Sequence, residues 1–89
     1  MLSKSDIKII IRCAKKYKVG KIYLFGSSLD STVQAHDIDL AVKGINPTLF
    51  FKFYGELLRQ LSKPVDLVDL SYKSLFNELV EKRGVQIYG

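Results

Sequence analysis

The sequence predicts an α+β fold, a small mixed β-sheet covered by helices, in the order α-β-β-α-β-α-β. Three observations carry this expectation. Apolar residues recur at helical spacing in three segments. Short β-branched or apolar runs bounded by Gly or Pro stand between and after them. The two kinds of segment alternate, as they do when helices cover one sheet. At 89 residues, 47% hydrophobic and 26% charged, the chain has the composition of a globular protein with one modest core. Residues 1–89 are therefore read as a single domain.

Taken in order, residues 4–18 repeat apolar side chains at Ile7, Ile10, Ile11, Ala14 and Tyr17, a helical period. Ser3 or Ser5 can cap the start, and Gly20 lies where the chain leaves the helix. KIYLF (21–25) is a strand cut off by Gly26. Residues 26–36 are rich in Gly, Ser, Thr, Asp and Gln and form a loop, with room for one helical turn after Gly26-Ser27. DIDLAV (37–42) is a second strand, ended by Lys43-Gly44. Pro47 suits the first turn of a helix over 47–62, whose wide apolar face holds Leu49, Phe50, Phe53, Tyr54, Leu57, Leu58 and Leu61. That face is read as core, the alternative being a docking surface for a second subunit in a homo-oligomer. PVDLVDL (64–70) is a third strand. Ser71 can cap a last helix through Arg83, with Tyr72, Leu75, Phe76, Leu79 and Val80 inward; Gly84 stops it, and VQIY (85–88) is a final strand.

Fourteen basic residues against nine acidic ones give a net charge of +5. Lys4, Lys8, Arg12 and Lys16 recur every fourth residue and form one ridge of the first helix. A solvated face is the plainer reading of that ridge; attraction for nucleic acid, a nucleotide or an acidic partner is the other. No apolar run approaches the roughly 20 residues that span a bilayer. Asp6 and the repeated lysines interrupt any signal-peptide core, so a cytoplasmic location with no membrane partner is expected. Cys13, the single cysteine, cannot form an internal disulfide and reads as a small packing residue.

The chemistry lies in the carboxylates. Asp is among the poorest strand formers, yet Asp37-Ile38-Asp39-Leu40 places two on one sheet face, because side chains alternate with period two. Two adjacent carboxylates repel unless a cation lies between them. Mg²⁺ meets that need, typically taking one or two protein carboxylates plus phosphate oxygens. Asp66, on the third strand, can face the same metals if that strand neighbours the second. Asp69, three residues later, points to the other face of a regular strand and reads as a strand-end or helix-capping residue, becoming the rival third carboxylate if the register differs. An isolated Asp-x-Asp is weak evidence, and its plainer reading has Asp37 as a strand or turn cap and Asp39 as a solvent-facing edge residue. Here Gly26-Ser27 directly follows a strand, where backbone N–H groups and hydroxyls, Ser28 included, can hold phosphate oxygens. His36, beside the first Asp, reads as an exposed loop residue rather than a ligand.

With these parts in place the chain resembles the nucleotidyltransferase superfamily that includes DNA polymerase beta and the kanamycin nucleotidyltransferases. It is most similar to the minimal, stand-alone members that partner HEPN-domain toxins. The resemblance rests on FGSSLDSTVQAHDIDLAV, where hydrophobic-Gly-Ser is followed after a loop by Asp-hydrophobic-Asp-hydrophobic, on Asp66 in PVDLVDL, and on the ending EKRGVQIYG. Many minimal members carry Ala-Arg-Gly after Gly-Ser, where this chain has Ser28-Leu29-Asp30-Ser31. The resemblance implies a metal-dependent transfer of a nucleoside monophosphate, AMP from ATP, to an acceptor hydroxyl with release of pyrophosphate. It implies Asp37, Asp39 and Asp66 as catalytic residues and ligands of two Mg²⁺ ions, and Gly26, Ser27 and Ser28 as nucleotide-binding. It further implies a tyrosine of a HEPN-type toxin as acceptor, which makes the chain an antitoxin.

Two other readings are kept. A non-catalytic antitoxin would neutralise its partner by contact alone, through the aromatic middle helix. A nucleic-acid-binding module would rest on the basic first helix and bind DNA or RNA with strong salt dependence; nucleic acid is not the expected partner.

Overall fold

The sheet is built around a parallel pair that only a crossover can join. In the computed structural model, which describes residues 2–29 and 36–89, β2 (Ile38–Lys43) and β3 (Val65–Asp69) run parallel, and helix α2 (Phe50–Gln60) carries the chain between them. β1 (Lys21–Leu24) pairs antiparallel with β2 on one side and with β4 (Val85–Tyr88) on the other. The sheet is therefore mixed, in the order β3-β2-β1-β4. Helices α1 (Lys4–Lys16) and α3 (Leu75–Arg83) complete the chain, with short 3-10 turns at Gly26–Leu29 and Pro47–Leu49. The α-β-β-α-β-α-β order and the α+β class match the sequence expectation. Asp30 and Ser31, within the loop read over 26–36, lie outside the described residues, as does the Ser27 side chain.

Alternation along each strand sorts the core into two layers. Ile22, Leu24, Ile38, Leu40 and Val42 face α1 and α2, where they bury Ile10, Cys13, Ala14, Phe53 and Leu57. Tyr23 and Ala41 face the other way and meet Leu70 and Val80, with Phe25 and Val68 at the margin. Among the described residues, one sheet face thus carries two helices and the other carries α3.

The element ends follow local hydrogen bonding. Ser3 caps α1, its hydroxyl accepting from Asp6 N–H at 3.1 Å. Asn46 caps the Pro47–Leu49 turn, accepting from Thr48 N–H, so the α-helix proper starts at Phe50 rather than Pro47. The second strand begins at Ile38 rather than Asp37, because Ile38 N–H makes the bond to Pro64 C=O (2.8 Å) that starts the β2–β3 pairing. The last helix begins at Leu75 with Ser74 as its cap, not Ser71. Asp69 takes the Ser71 N–H at 2.9 Å, and the buried Asn77 amide donates to Asp69 C=O and Tyr72 C=O, closing residues 70–74 into a turn.

The inward face expected for the last helix also differs. Of Tyr72, Leu75, Phe76, Leu79 and Val80, only Val80 is buried; Leu75 is 81% exposed. On α2, Phe53, Leu57 and Leu61 are core as expected, but Leu58 and Phe51 point outward.

Candidate active site

Asp39 is held by its backbone on both sides. Its C=O accepts from Phe25 N–H at 3.2 Å, and its N–H donates to the Ser28 hydroxyl at 2.8 Å. Ser28 is only 4% exposed, so this hydroxyl sits beneath the site and fixes β2 to the turn that follows β1. The sequence assigns Ser28 to the nucleotide; the structure places it against Asp39. Nothing in the sequence marks that bond, since it spans eleven positions between a loop and a strand.

Gly26 forms the other wall. Its φ of +62° lies in the left-handed region that glycine occupies without penalty. A Cβ there would come within 2.5 Å of Asp39 Oδ2 and 3.3 Å of its Cγ. The Asp39 carboxylate therefore rests directly on the Gly26 backbone, and only glycine leaves that space.

Asp66 arrives from β3. The parallel register pairs Asp39 with Asp66 and Ala41 with Val68. Residues paired across neighbouring strands share a face, and the strands lie about 4.8 Å apart. Ala41 and Val68 belong to the layer under α3, so Asp39 and Asp66 stand on that same face, toward the strand starts. Asp66 is exposed. Asp37 and His36 are exposed in the bend just before β2. Asp69 is not part of this arrangement, because its carboxylate accepts from Ser71 N–H at the far end of β3.

The donor set is all oxygen, which suits a hard divalent cation. Among the described residues no three His, Cys, Asp or Glu side chains already converge as a metal cage. Neighbouring carboxylates, one of them on the exposed Asp66, suit Mg²⁺, an ion that keeps places for phosphate oxygens and water. Toward β4 the site runs into an apolar groove between the Gly26–Leu29 turn and α3, where Arg83 and Gly84 also stand. Nothing in the local sequence marks Arg83 as a neighbour of this site; pairing β4 with β1 is what brings the end of α3 beside Gly26.

A second polar cluster lies on the opposite side of the sheet, between α1 and α2. Glu56 accepts from Lys16 Nζ (2.7 Å), Tyr17 OH (2.9 Å), Gln60 Nε2 (2.9 Å) and Cys13 Sγ (3.5 Å). The hydrogen bonds from Lys16 and then Tyr17 hold its carboxyl down at about 2. Burial and the Glu56 contact push the Cys13 thiol up to about 11. A neutral, buried thiol packs rather than reacts, as expected for Cys13.

Comparison with known proteins bears on the family and the fold. The family model described as polymerase beta, nucleotidyltransferase matches residues 8–89. Among solved structures, a toxin–antitoxin complex with AMP-PNP aligns at 31% identity, TM-score 0.76, covering 93% of this chain and 73% of that one. The toxin–antitoxin MntA-HepT aligns at 28% identity, TM-score 0.73, covering 98% and 73%. A structure of tri-AMPylated Shewanella oneidensis HEPN toxin in complex with MNT antitoxin aligns at 29% identity, TM-score 0.74, covering 99% and 73%. No curated protein matches the chain. Among the described residues no helix is long and apolar enough to cross a membrane. With the family match spanning nearly its whole length, the chain belongs to the polymerase beta nucleotidyltransferase family.

Proposed function

We propose that the chain is a metal-dependent adenylyltransferase that moves AMP from ATP to a hydroxyl of a HEPN-type protein partner, a tyrosine side chain, and so acts as that partner's antitoxin. The observation that carries this reading is the pairing of Asp39 with Asp66 on the sheet face beside Gly26. The neighbours crystallised as toxin–antitoxin complexes, one with AMP-PNP and one with an AMPylated toxin, support the choice of nucleotide and partner.

Asp37, Asp39 and Asp66 would hold Mg²⁺, two ions in the full site. The chemistry such ions would supply is charge neutralisation of the triphosphate and of the attacking and leaving oxygens. Gly26 lets phosphate approach the backbone, and Ser27 would bond the β- or γ-phosphate. Ser28 contributes through Asp39, whose N–H it anchors. The acceptor oxygen attacks the α-phosphorus, forming one P–O bond as the bond to the β-phosphate oxygen breaks. Pyrophosphate leaves with that electron pair, and Asp66 takes the hydroxyl proton.

The test combines the chain, its HEPN-type partner, Mg²⁺ and α-labelled ATP, beside an Asp37→Ala/Asp39→Ala variant. Label should appear on the partner only with both aspartates present. Neutralisation that survives the double substitution, without label, would instead make the chain a contact inhibitor. Phe51, 81% exposed on α2, is the observation favouring that second reading.

A further inference from the structure

Charge is divided unequally between the two sides of this sheet. Residues 2–21 and 46–63, which form α1, α2 and the segments flanking them, hold ten lysines and arginines against two acids, a net of +8. The rest of the chain holds four against seven, a net of −3. Both acids of the helical layer are buried and engaged. Asp6 accepts from the N–H and hydroxyl of Ser62, and Glu56 from Lys16, Tyr17 and Gln60. The charge that this layer shows to solvent is therefore cationic throughout. Lys4, Lys8, Arg12 and Lys15 form an exposed stripe about 17 Å long on α1. Lys52 and Arg59, also exposed, stand on the same side of α2 as Glu56, and Lys63 follows the end of that helix. The two helices lie antiparallel, Lys16 meeting Glu56 at one end and Asp6 meeting Ser62 at the other, so the two stripes run side by side along their seam.

We propose that this cationic face docks the phosphate backbone of duplex RNA, on the side of the sheet away from Asp39 and Asp66. The composition of the face argues for a nucleic acid over a protein. Eight of its ten cations are lysines, which protein interfaces deplete, whereas nucleic-acid interfaces are polar and strongly positive. Among the described residues, none of the exposed large apolar side chains that could anchor a protein belongs to α1. A bilayer surface fits no better, because α1 spends its apolar side on the core, with Ile10, Cys13 and Ala14 fully buried. The seam argues for a duplex over a single strand. Its one aromatic ring, Tyr17, is half-buried, stands edge-on to Phe53 and gives its hydroxyl to Glu56, which leaves no platform for stacking unpaired bases. Spacing argues for the A-form. Packed helices have axes about 8–10 Å apart, closer than the roughly 12 Å major groove of B-DNA. Two stripes at that separation suit the phosphate strands that flank the deep, narrow groove of an RNA duplex. Lysines set for phosphates carry no base code, so binding is independent of sequence.

Fluorescence anisotropy on the full chain tests this with a labelled RNA duplex of about 16 base pairs. With about five phosphates engaged, affinity should fall several hundredfold between roughly 50 and 200 mM salt. Lys4→Gln/Lys8→Gln should lower the slope of log affinity against log salt by about two, one for each lost phosphate contact. Lys73→Gln/Lys82→Gln removes the same charge from the other side of the sheet and should leave the slope as in the parent. All four lysines are exposed, and melting temperatures confirm that both variants fold. An equal loss in the two variants would reduce the effect to net charge and overturn the assignment, as would a parent that does not bind the RNA duplex at low salt. A DNA duplex of the same sequence bound as tightly would overturn the A-form match. Tighter binding of polyglutamate would give the face to an acidic protein, and tighter binding of phosphatidylserine vesicles would give it to a membrane surface.

Discussion

Gly26 and Ser28 do different work around one aspartate, and substitution should separate them. Gly26 supplies space, because a methyl group there would press on Asp39 Oδ2 at 2.5 Å and force an L-residue into φ +62°. Gly26→Ala is therefore expected to destabilise by more than about 1 kcal/mol and to abolish AMP transfer by displacing the carboxylate. Ser28 supplies an anchor. Ser28→Ala leaves the Asp39 N–H without its acceptor, at about 1–3 kcal/mol, yet keeps the carboxylate's space. Its transfer activity should fall less than that of Gly26→Ala at equal or greater loss of stability. Denaturant unfolding and label transfer, run on both variants, give the comparison; an active Gly26→Ala protein would show that the close approach has no catalytic consequence.

The seam between α1 and α2 carries a pH-dependent contribution to the fold's stability. Glu56 is held at about 2 in the folded chain against 4.5 unfolded, so its contribution is full above pH 4.5 and is lost as pH falls through about 2. Glu56→Gln should flatten the fall of melting temperature across that acidic window and, by weakening the bonds from Lys16 and Tyr17, lower stability near neutral pH by about 1–3 kcal/mol. Melting curves collected from neutral to strongly acidic pH check both effects, and an unflattened profile would place the titrating group elsewhere. The sequence displayed the elements of this seam but not its chemistry. Apolar spacing located α1 and the core side of α2, since Ile10, Phe53 and Leu57 bury as their period requires. The burial of Glu56 depends on where Lys16 and Tyr17 arrive from another helix, which no local pattern fixes. For α3 the same periodicity misled: Leu75, Phe76 and Leu79 are spaced as a core face, but the layer they border is only partly filled. The start of that helix moved from Ser71 to Ser74 because Asp69 captured the Ser71 N–H. Within the site, Asp37, Asp39 and Gly26 were legible from local pattern. The placing of Asp66 beside Asp39, and of Arg83 beside Gly26, depended on strand neighbours that no local pattern fixes.

At the scale of the whole molecule, the described residues cover the sheet unequally. Two helices pack on the face of Ile38 and Leu40, and among the described residues only α3 packs on the face that bears Asp39 and Asp66. A nucleotide bound there would touch the turn after β1, the starts of β2 and β3, and the last turn of α3, elements that otherwise meet through a small second core. A ligand bridging them should stabilise the entire fold rather than one loop. At a concentration of 100 times its dissociation constant, a ligand specific to the folded state adds about 2.7 kcal/mol. For a domain of this size each kcal/mol moves the melting temperature by roughly 4–8 °C, so saturating Mg²⁺ and ATP should raise it by roughly 10–20 °C. Asp39→Asn should remove most of that rise while keeping the Asp39 backbone bonds to Phe25 and Ser28. The net charge of +5 adds a second signature, since attraction for the anionic nucleotide is screened over about 10 Å at 0.1 M salt. The rise should therefore shrink with added salt. Scanning fluorimetry with and without ATP, Mg²⁺ and salt reads all three effects, and an equal rise in Asp39→Asn would place the nucleotide away from the β2–β3 carboxylates.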